Sequence, residues 1–223
     1  MNKELKIVKL RMRKDEIINY TYVLIDFINL ECVVIDPSWE LKKIDDLILE
    51  HNLKIKAILL THSHYDHVNL VEYLINLHET KVYMSKEEIN YYNYYCKNLY
   101  ELHDMQIIRF NNHNIYCIST QGHTKGSMCY LVNNFLFSGD TLFTEGCGRC
   151  DEVGGSPYEM YNSIQKIKSL INDDTIIYPG HVFLEQPGIK FKNMKSNIYL
   201  QILNKETFVK LRNMTNEKSM QFI

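Results

Sequence analysis

Ala57-Ile58-Leu59-Leu60-Thr61-His62-Ser63-His64-Tyr65-Asp66-His67 is the stretch whose reading decides the fold. It opens as a continuous apolar run, the pattern of a buried strand. It then places three histidines and an aspartate within six residues, spaced His-x-His-x-Asp-His. A strand that ends in such a loop and leads into a helix is where α/β folds put their chemistry. His62 and His64 alternate and can share one metal, whereas Asp66 and His67 are offset toward a second. Imidazole nitrogen with carboxylate oxygen suits zinc, iron or manganese better than calcium or magnesium. A polar turn with exposed histidines is the bland alternative. One histidine would fit it, but three histidines and an aspartate directly after a strand do not.

Working outward, three further candidates close short hydrophobic segments. His123 stands in Gly122-His123-Thr124-Lys125-Gly126-Ser127, Asp140 in Phe137-Ser138-Gly139-Asp140-Thr141, and His181 in Ile176-Ile177-Tyr178-Pro179-Gly180-His181. Each has a glycine beside it that lets the backbone turn tightly. Singly, each reads as a surface turn or cap. Together they supply three more ligands at the same end of successive strands.

This constellation resembles the metallo-β-lactamase superfamily. The likeness covers roughly residues 5 to 200 and includes Asp36, the cluster at 62–67, His123, Asp140 and His181 in order. It implies that His62, His64 and His123 hold one metal ion, that Asp66, His67 and His181 hold another, and that Asp140 bridges them. Two zinc ions are the implied cofactors, with iron or manganese as alternatives. Asp36 is implied as a support that orients the cluster; its other reading is a cap before Pro37. Asp66 is the implied catalytic residue, steering a metal-bridging hydroxide. Water shared by two such ions ionises near about pH 7, enough to attack an ester-like carbonyl.

After Asp140 the chain reads Leu142-Phe143-Thr144-Glu145-Gly146-Cys147-Gly148-Arg149. Leu-Phe-x-x-Gly-Cys-Gly-Arg is similar to the glyoxalase II branch of thioester hydrolases and to the iron-dependent persulfide dioxygenases. The tyrosine that commonly follows the last metal histidine in the glutathione-using enzymes is replaced, since His181 is followed by Val182-Phe183, and 42 residues remain after it. Val34-Ile35-Asp36-Pro37-Ser38-Trp39-Glu40, Asn19-Tyr20-Thr21-Tyr22 and Asp66-His67-Val68-Asn69-Leu70 resemble instead the zinc hydrolases of trans-acyltransferase polyketide synthase clusters. That resemblance implies an acyl thioester on an acyl carrier protein as substrate. Arg149, Phe183 and Lys192 are the candidate substrate contacts, and Lys190, Lys192 and Lys195 the candidate docking charges. A lactone, β-lactam or phosphodiester hydrolase, or a carrier-binding module with a vestigial site, fits the motifs less well.

The 223 residues fit one large domain, expected to span 1–223 with 182–223 as a short C-terminal extension; 45% hydrophobic content supports a sizeable core. A net charge of −2 implies no polyanion-binding surface, so no nucleic-acid partner is expected. The start, Met1-Asn2-Lys3-Glu4-Leu5-Lys6, lacks the apolar core of a leader, and no apolar run approaches the roughly 18 residues of a membrane span. A cytoplasmic location without membrane partners is the expectation, with the six cysteines reduced. Cys32, Cys117 and Cys129 read as core, and Cys147 and Cys150 as loop thiols without redox duty.

Periodicity predicts strands at 6–12, 20–26, 31–36, 55–60, 81–84, 106–110, 114–118, 128–132, 134–137 and 175–178. It predicts helices at 41–49 and 67–78, with others beginning at the capping sequences Ser85-x-x-Glu88 and Ser156-Pro157. The run Tyr91 to Tyr95 reads as helix packing, or as a pocket wall. Residues 204–223 read as helix or partly disordered, with Lys205, Lys210, Arg212 and Lys218 on a solvated face. Two strand-rich halves, each followed by helices, give an α/β class: an αββα sandwich of two facing mixed sheets with helices outside.

Overall fold

In the computed structural model the chain is described over residues 5–183 and 186–220, the last six by backbone alone. Residues 1–4 and the side chains of Glu217 and Lys218 therefore lie outside the described residues. The first half builds one six-stranded sheet, with β1 (Lys6–Lys14), β2 (Ile17–Asp26), β3 (Glu31–Ile35), β4 (Lys54–Leu59), β5 (Lys81–Ser85) and β6 (Leu99–Leu102) in that spatial order. The second half builds another: β7 (Gln106–Phe110), β8 (His113–Ser119), β9 (Met128–Val132), β10 (Phe135–Gly139), β11 (Ile176–Pro179) and β12 (Ile189–Lys190). Both are mixed. β1 to β3 are antiparallel and β3 to β6 parallel; β7 to β10 are antiparallel and β10 runs parallel to β11.

Strand alternation dictates the layers. Tyr20, Tyr22 and Leu24 of β2 point toward Cys117, Tyr130 and Phe137 of the facing sheet. Val23 and Ile25 point the other way, beneath Ile44 and Ile48 of α1 (Leu41–Glu50) and Leu74 and Ile75 of α3 (Val71–His78). Both faces of the strand are covered, which is why its sequence lacks a polar face. On the far sheet Ile118, Cys129, Leu136 and Ile177 pack under Ile167 of α5 (Pro157–Leu170). The expected αββα sandwich is the fold observed.

The helix expected over 67–78 is divided into α2 (Tyr65–Val68) and α3. Asn69 causes the break: its side-chain carbonyl accepts the Trp39 amide at 2.8 Å, and its amide group donates to the Tyr65 carbonyl at 2.7 Å. Leu70 N–H then turns to the Pro37 carbonyl, docking the chain on the loop after β3. α4 (Lys86–Tyr92) stops at Asn93, which takes a left-handed conformation, so Tyr94 and Tyr95 are not helical. Two short strands, β6 and β12, escaped the periodicity reading.

Two helices past His181 pack on the outer layer. α6 (Ile198–Gln201) and α7 (Lys205–Met220) bring Tyr199 and Phe208 against Met160, Ile164, Cys147 and Cys150. Arg212, expected on a solvated face, is buried and donates to the Cys147 carbonyl at 2.9 Å. No helix among the described residues is long and apolar enough to cross a membrane.

Candidate metal centre

The ends of four strands meet at one place. His62, His64, Asp66 and His67 follow β4, His123 lies between β8 and β9, Asp140 follows β10, and His181 follows β11. Gly180 lets the last of these approach. A Cβ there would lie 2.4 Å from Asp140 Oδ1 and 2.7 Å from His67 Cε1, so the position demands the absence of a side chain. Gly148 serves likewise, because a Cβ would fall 2.0 Å from the Asp140 carbonyl oxygen.

Hydrogen-bond partners fix the tautomer of each imidazole. Thr61 Oγ1 donates to Asp36 Oδ2 at 2.6 Å, so it accepts from His62 Nδ1 at 3.0 Å. His67 Nδ1 donates to Asp36 Oδ2 at 2.9 Å, His123 Nδ1 to the Arg149 carbonyl at 2.8 Å, and His181 Nδ1 to the Ile18 carbonyl at 2.7 Å. These acceptors hold the Nδ1 proton, so in the neutral imidazole each Nε2 is the nitrogen whose lone pair faces the centre. His64 is turned around: its Nε2 faces Glu152 Oε2 at 3.2 Å, leaving Nδ1 inward.

Two donor sets result. His62 Nε2, His64 Nδ1 and His123 Nε2 lie 3.0–3.1 Å apart along the pairs through His64, with no hydrogen between the facing lone pairs. His181 Nε2 lies 3.3 Å from both His67 Nε2 and Asp66 Oδ2. Asp140 reaches across, with Oδ1 3.5 Å from His67 and Oδ2 3.6 Å from His123 and 3.5 Å from His181. Asp140 Oδ1 is buried without a hydrogen-bond donor. Converging lone pairs and an orphaned buried carboxylate oxygen are costly unless a cation sits among them. The donor set fits zinc-class ions. Asp36, His62 and His67 also approach one another. Asp36, however, already accepts from Thr61 N at 2.8 Å, from Thr61 Oγ1 and from His67, so both its oxygens are engaged within the protein. Its φ of 49° lies in the left-handed region, and those three bonds keep it there.

Electrostatics divide the two sets. Burial, with His67 and His123 beside it, pushes His62 well below the usual imidazole range, and burial and His123 lower His64. At His67 burial acts in the same downward sense. Asp140, the Asp36 hydrogen bond and Asp66 outweigh it and push the group up to about 9. His181 is raised similarly by Asp140 and Asp66. Burial would raise Asp66, but the His181 hydrogen bond, His67 and Asn19 hold it well below the carboxylate range. Asp140 is lowered against burial by His181, His67 and His123.

A cavity of about 720 Å³ opens over the centre. Arg149 and Phe183 line it. Arg149 is paired with Asp151 at 2.9 Å, and Phe183, 70% exposed, meets Phe143 edge-on at 5.6 Å between ring centres. Lys192 is not in the lining. It binds Asp174 at 2.8 Å, as Lys190 does at 3.0 Å, and Lys190 pairs with Ile176 at the end of β11 remote from His181. The expected contact at Lys192 is therefore corrected: the short β12 carries these lysines away from the mouth. Tyr91 to Tyr95 do not line the cavity either, although Tyr92 OH braces the loop by donating to the Val153 carbonyl. Cys147 and Cys150 are buried free thiols, and burial pushes Cys147 up to about 11, so neither is a ready nucleophile.

Sequence reading missed Asn19, Glu152 and Glu88. Asn19 donates to Asp66 Oδ2 at 3.0 Å and accepts from the Trp39 indole at 2.8 Å. Its appearance in the quoted Asn19-Tyr20-Thr21-Tyr22 phrase was the available signal.

A family model described as the metallo-beta-lactamase superfamily matches residues 16–181. The probable polyketide biosynthesis zinc-dependent hydrolase PksB of Bacillus subtilis strain 168 is 46% identical over 221 residues, covering 99% of this chain and 98% of that protein. A hydroxyacylglutathione hydrolase of Pectobacterium carotovorum is 38% identical over 176 residues, covering 78% of this chain and 66% of that one. Among solved structures, ETHE1 from Myxococcus xanthus superposes with a TM-score of 0.82 at 24% identity, covering 94% and 91% of the two chains, and so shares the fold.

Proposed function

The chain belongs to the metallo-β-lactamase superfamily as a metal-dependent hydrolase, and from that premise we propose that it cleaves acyl thioesters carried on an acyl carrier protein in polyketide biosynthesis. Two zinc ions would be held, one by His62, His64 and His123, the other by Asp66, His67 and His181, with Asp140 shared. The observation that carries this reading is the tautomer pattern: five imidazoles are each pinned on one nitrogen, with the other turned toward Asp140 and its neighbours. When bound, such ions supply Lewis acidity and make water a competent nucleophile near neutral pH.

The chain's own groups do the rest. Asp66, ionised and held by Asn19, is placed to accept a proton from the attacking water on its carboxylate. Ile17, Tyr65, Phe143 and Phe183 give the acyl chain an apolar wall. Among the described residues, the lining carries the carboxylates Glu16, Asp66, Asp140 and Glu152, and its arginine is already paired with Asp151. Outside the ligand set this leaves Glu16 and Glu152 as the carboxylates of the lining and a paired arginine, a surround that suits the uncharged pantetheine portion of the arm better than glutathione, which brings two carboxylates of its own. A glutathione thioester is the second reading, favoured by the 38% identity to the hydroxyacylglutathione hydrolase. An iron-dependent persulfide dioxygenase would need a ligand set of two histidines and an aspartate, fewer than those gathered here.

Metal analysis with a thiol-release assay tests the proposal. About two equivalents of zinc per chain are expected, with thiol release from acyl-pantetheine lost on chelation and restored by zinc. One tightly held iron, with oxygen consumed on persulfides, would contradict it.

A further inference from the structure

Ser85 caps α4 as its sequence implies, its hydroxyl accepting from Glu88 N–H at 3.1 Å. A capping box would return the Glu88 side chain to the Ser85 backbone. Here it is used elsewhere. Glu88 is fully buried, and its carboxylate joins two loops. Oε1 accepts from Ser63 N at 2.8 Å and Ser63 Oγ at 2.7 Å. Oε2 accepts from Thr124 Oγ1 at 2.8 Å and Gly126 N at 2.9 Å. Ser63 sits between His62 and His64, and Thr124 follows His123. One buried carboxylate thus holds the two loops that supply His62, His64 and His123. Asp36 accepts from His67 of the other set and, through Thr61 Oγ1, also braces His62, so it touches both sets.

We propose that Glu88 is a positioning residue that sets the spacing of the three-histidine set and so selectively tunes the affinity of that metal site. The inference rests on the two-ion reading above but not on the substrate. Chemistry makes it testable without changing side-chain size. Each carboxylate oxygen accepts from a backbone N–H, Ser63 on one side and Gly126 on the other, and neither can become an acceptor. A glutamine must set its NH₂ against one of them whichever way it turns. The mismatch pushes one loop away from the other.

The experiment is competitive chelator titration of zinc on the full chain, comparing wild type, Glu88→Gln, Asp36→Asn and His64→Ala, with thermal unfolding of each metal-free protein. In Glu88→Gln one of two zinc affinities should fall about 10–100-fold, the range for groups that orient ligands. It should be the same class that His64→Ala removes, while the other stays essentially unchanged. Asp36→Asn, which touches His67 directly and His62 through Thr61, should weaken both classes and so serves as the unselective comparison. Glu88→Asp, too short to span both loops, should not restore the lost class. Equal weakening of both classes, alongside a lowered unfolding temperature, would make Glu88 a fold residue and overturn the proposal, as would unchanged affinities. A single equivalent bound by the wild type would instead overturn the two-ion reading itself.

Discussion

Asp66 Oδ2 faces His181 Nε2 at 3.3 Å while Asn19 holds it from the other side, and its charge is expected to matter twice, in binding metal and in taking a proton. Asp66→Ala should lower kcat by at least the roughly 10²–10⁴ associated with a positioned proton acceptor, with an unchanged circular dichroism spectrum. Wild-type-like turnover by the folded variant would remove Asp66 from the chemistry. His67 makes a pH prediction. Asp140, Asp36 and Asp66 push it up to about 9 despite burial, and a ligating imidazole must be neutral. Zinc loading at pH 7.5 should therefore release a proton, and affinity should rise with pH until about 9. The sign for the metal-free fold is the reverse: the His67 contribution is complete below the ordinary value of 6.5 and lost as pH rises through about 9. Calorimetry in two buffers of different ionisation enthalpy reads the proton, and identical apparent enthalpies would count against this assignment. The eight residues from Asp36 to His181 were legible because each is a chemically distinctive side chain next to a strand end. Asn19, Glu88 and Glu152 were not, because amides and carboxylates are common and their partners lie far away in sequence: 47 residues separate Asn19 from Asp66.

The elements were legible wherever period and capping agreed. α1 and α5 carry helical spacing, β2 and the antiparallel β7 to β10 run are apolar-rich segments bounded by turns, and Ser156 accepts from Glu159 N at 3.3 Å as its position before Pro157 implies. Failures share a cause, which is tertiary contact overriding local pattern. The apolar positions of 67–78 keep helical spacing across a break that is set by Asn69 bonding to Trp39. Within α7, local charge suggested a solvated face, but Arg212 reaches inward to the Cys147 carbonyl and lies 5.5 Å from the Tyr199 ring. That contact ties the last helix to the loop whose Arg149 carbonyl orients His123. Arg212→Ala should cost about 1.5–3 kcal/mol, the value of a charge-assisted hydrogen bond, measured by urea unfolding. A change within about 0.5 kcal/mol, as at ordinary surface positions, would show that α7 docks without it.

At the scale of the whole molecule, two sheets bring one end of their strands to a common rim, and an aromatic and aliphatic mouth stands over buried charge. Ile17, Tyr65 and Phe183 are 47%, 68% and 70% exposed there. Exposed apolar groups around a concave polar centre mark a binding surface. Lys190 and Lys192 are paired with Asp174, away from that mouth. The most direct test of the central claim is intact mass spectrometry of an acyl carrier protein bearing an acyl-phosphopantetheine arm, incubated with the zinc-loaded enzyme, beside kcat/KM for lactoylglutathione. Loss of the acyl mass to leave the free thiol form is expected, abolished in Asp66→Ala, with kcat/KM above that for lactoylglutathione. An unchanged carrier alongside efficient turnover of lactoylglutathione would contradict it.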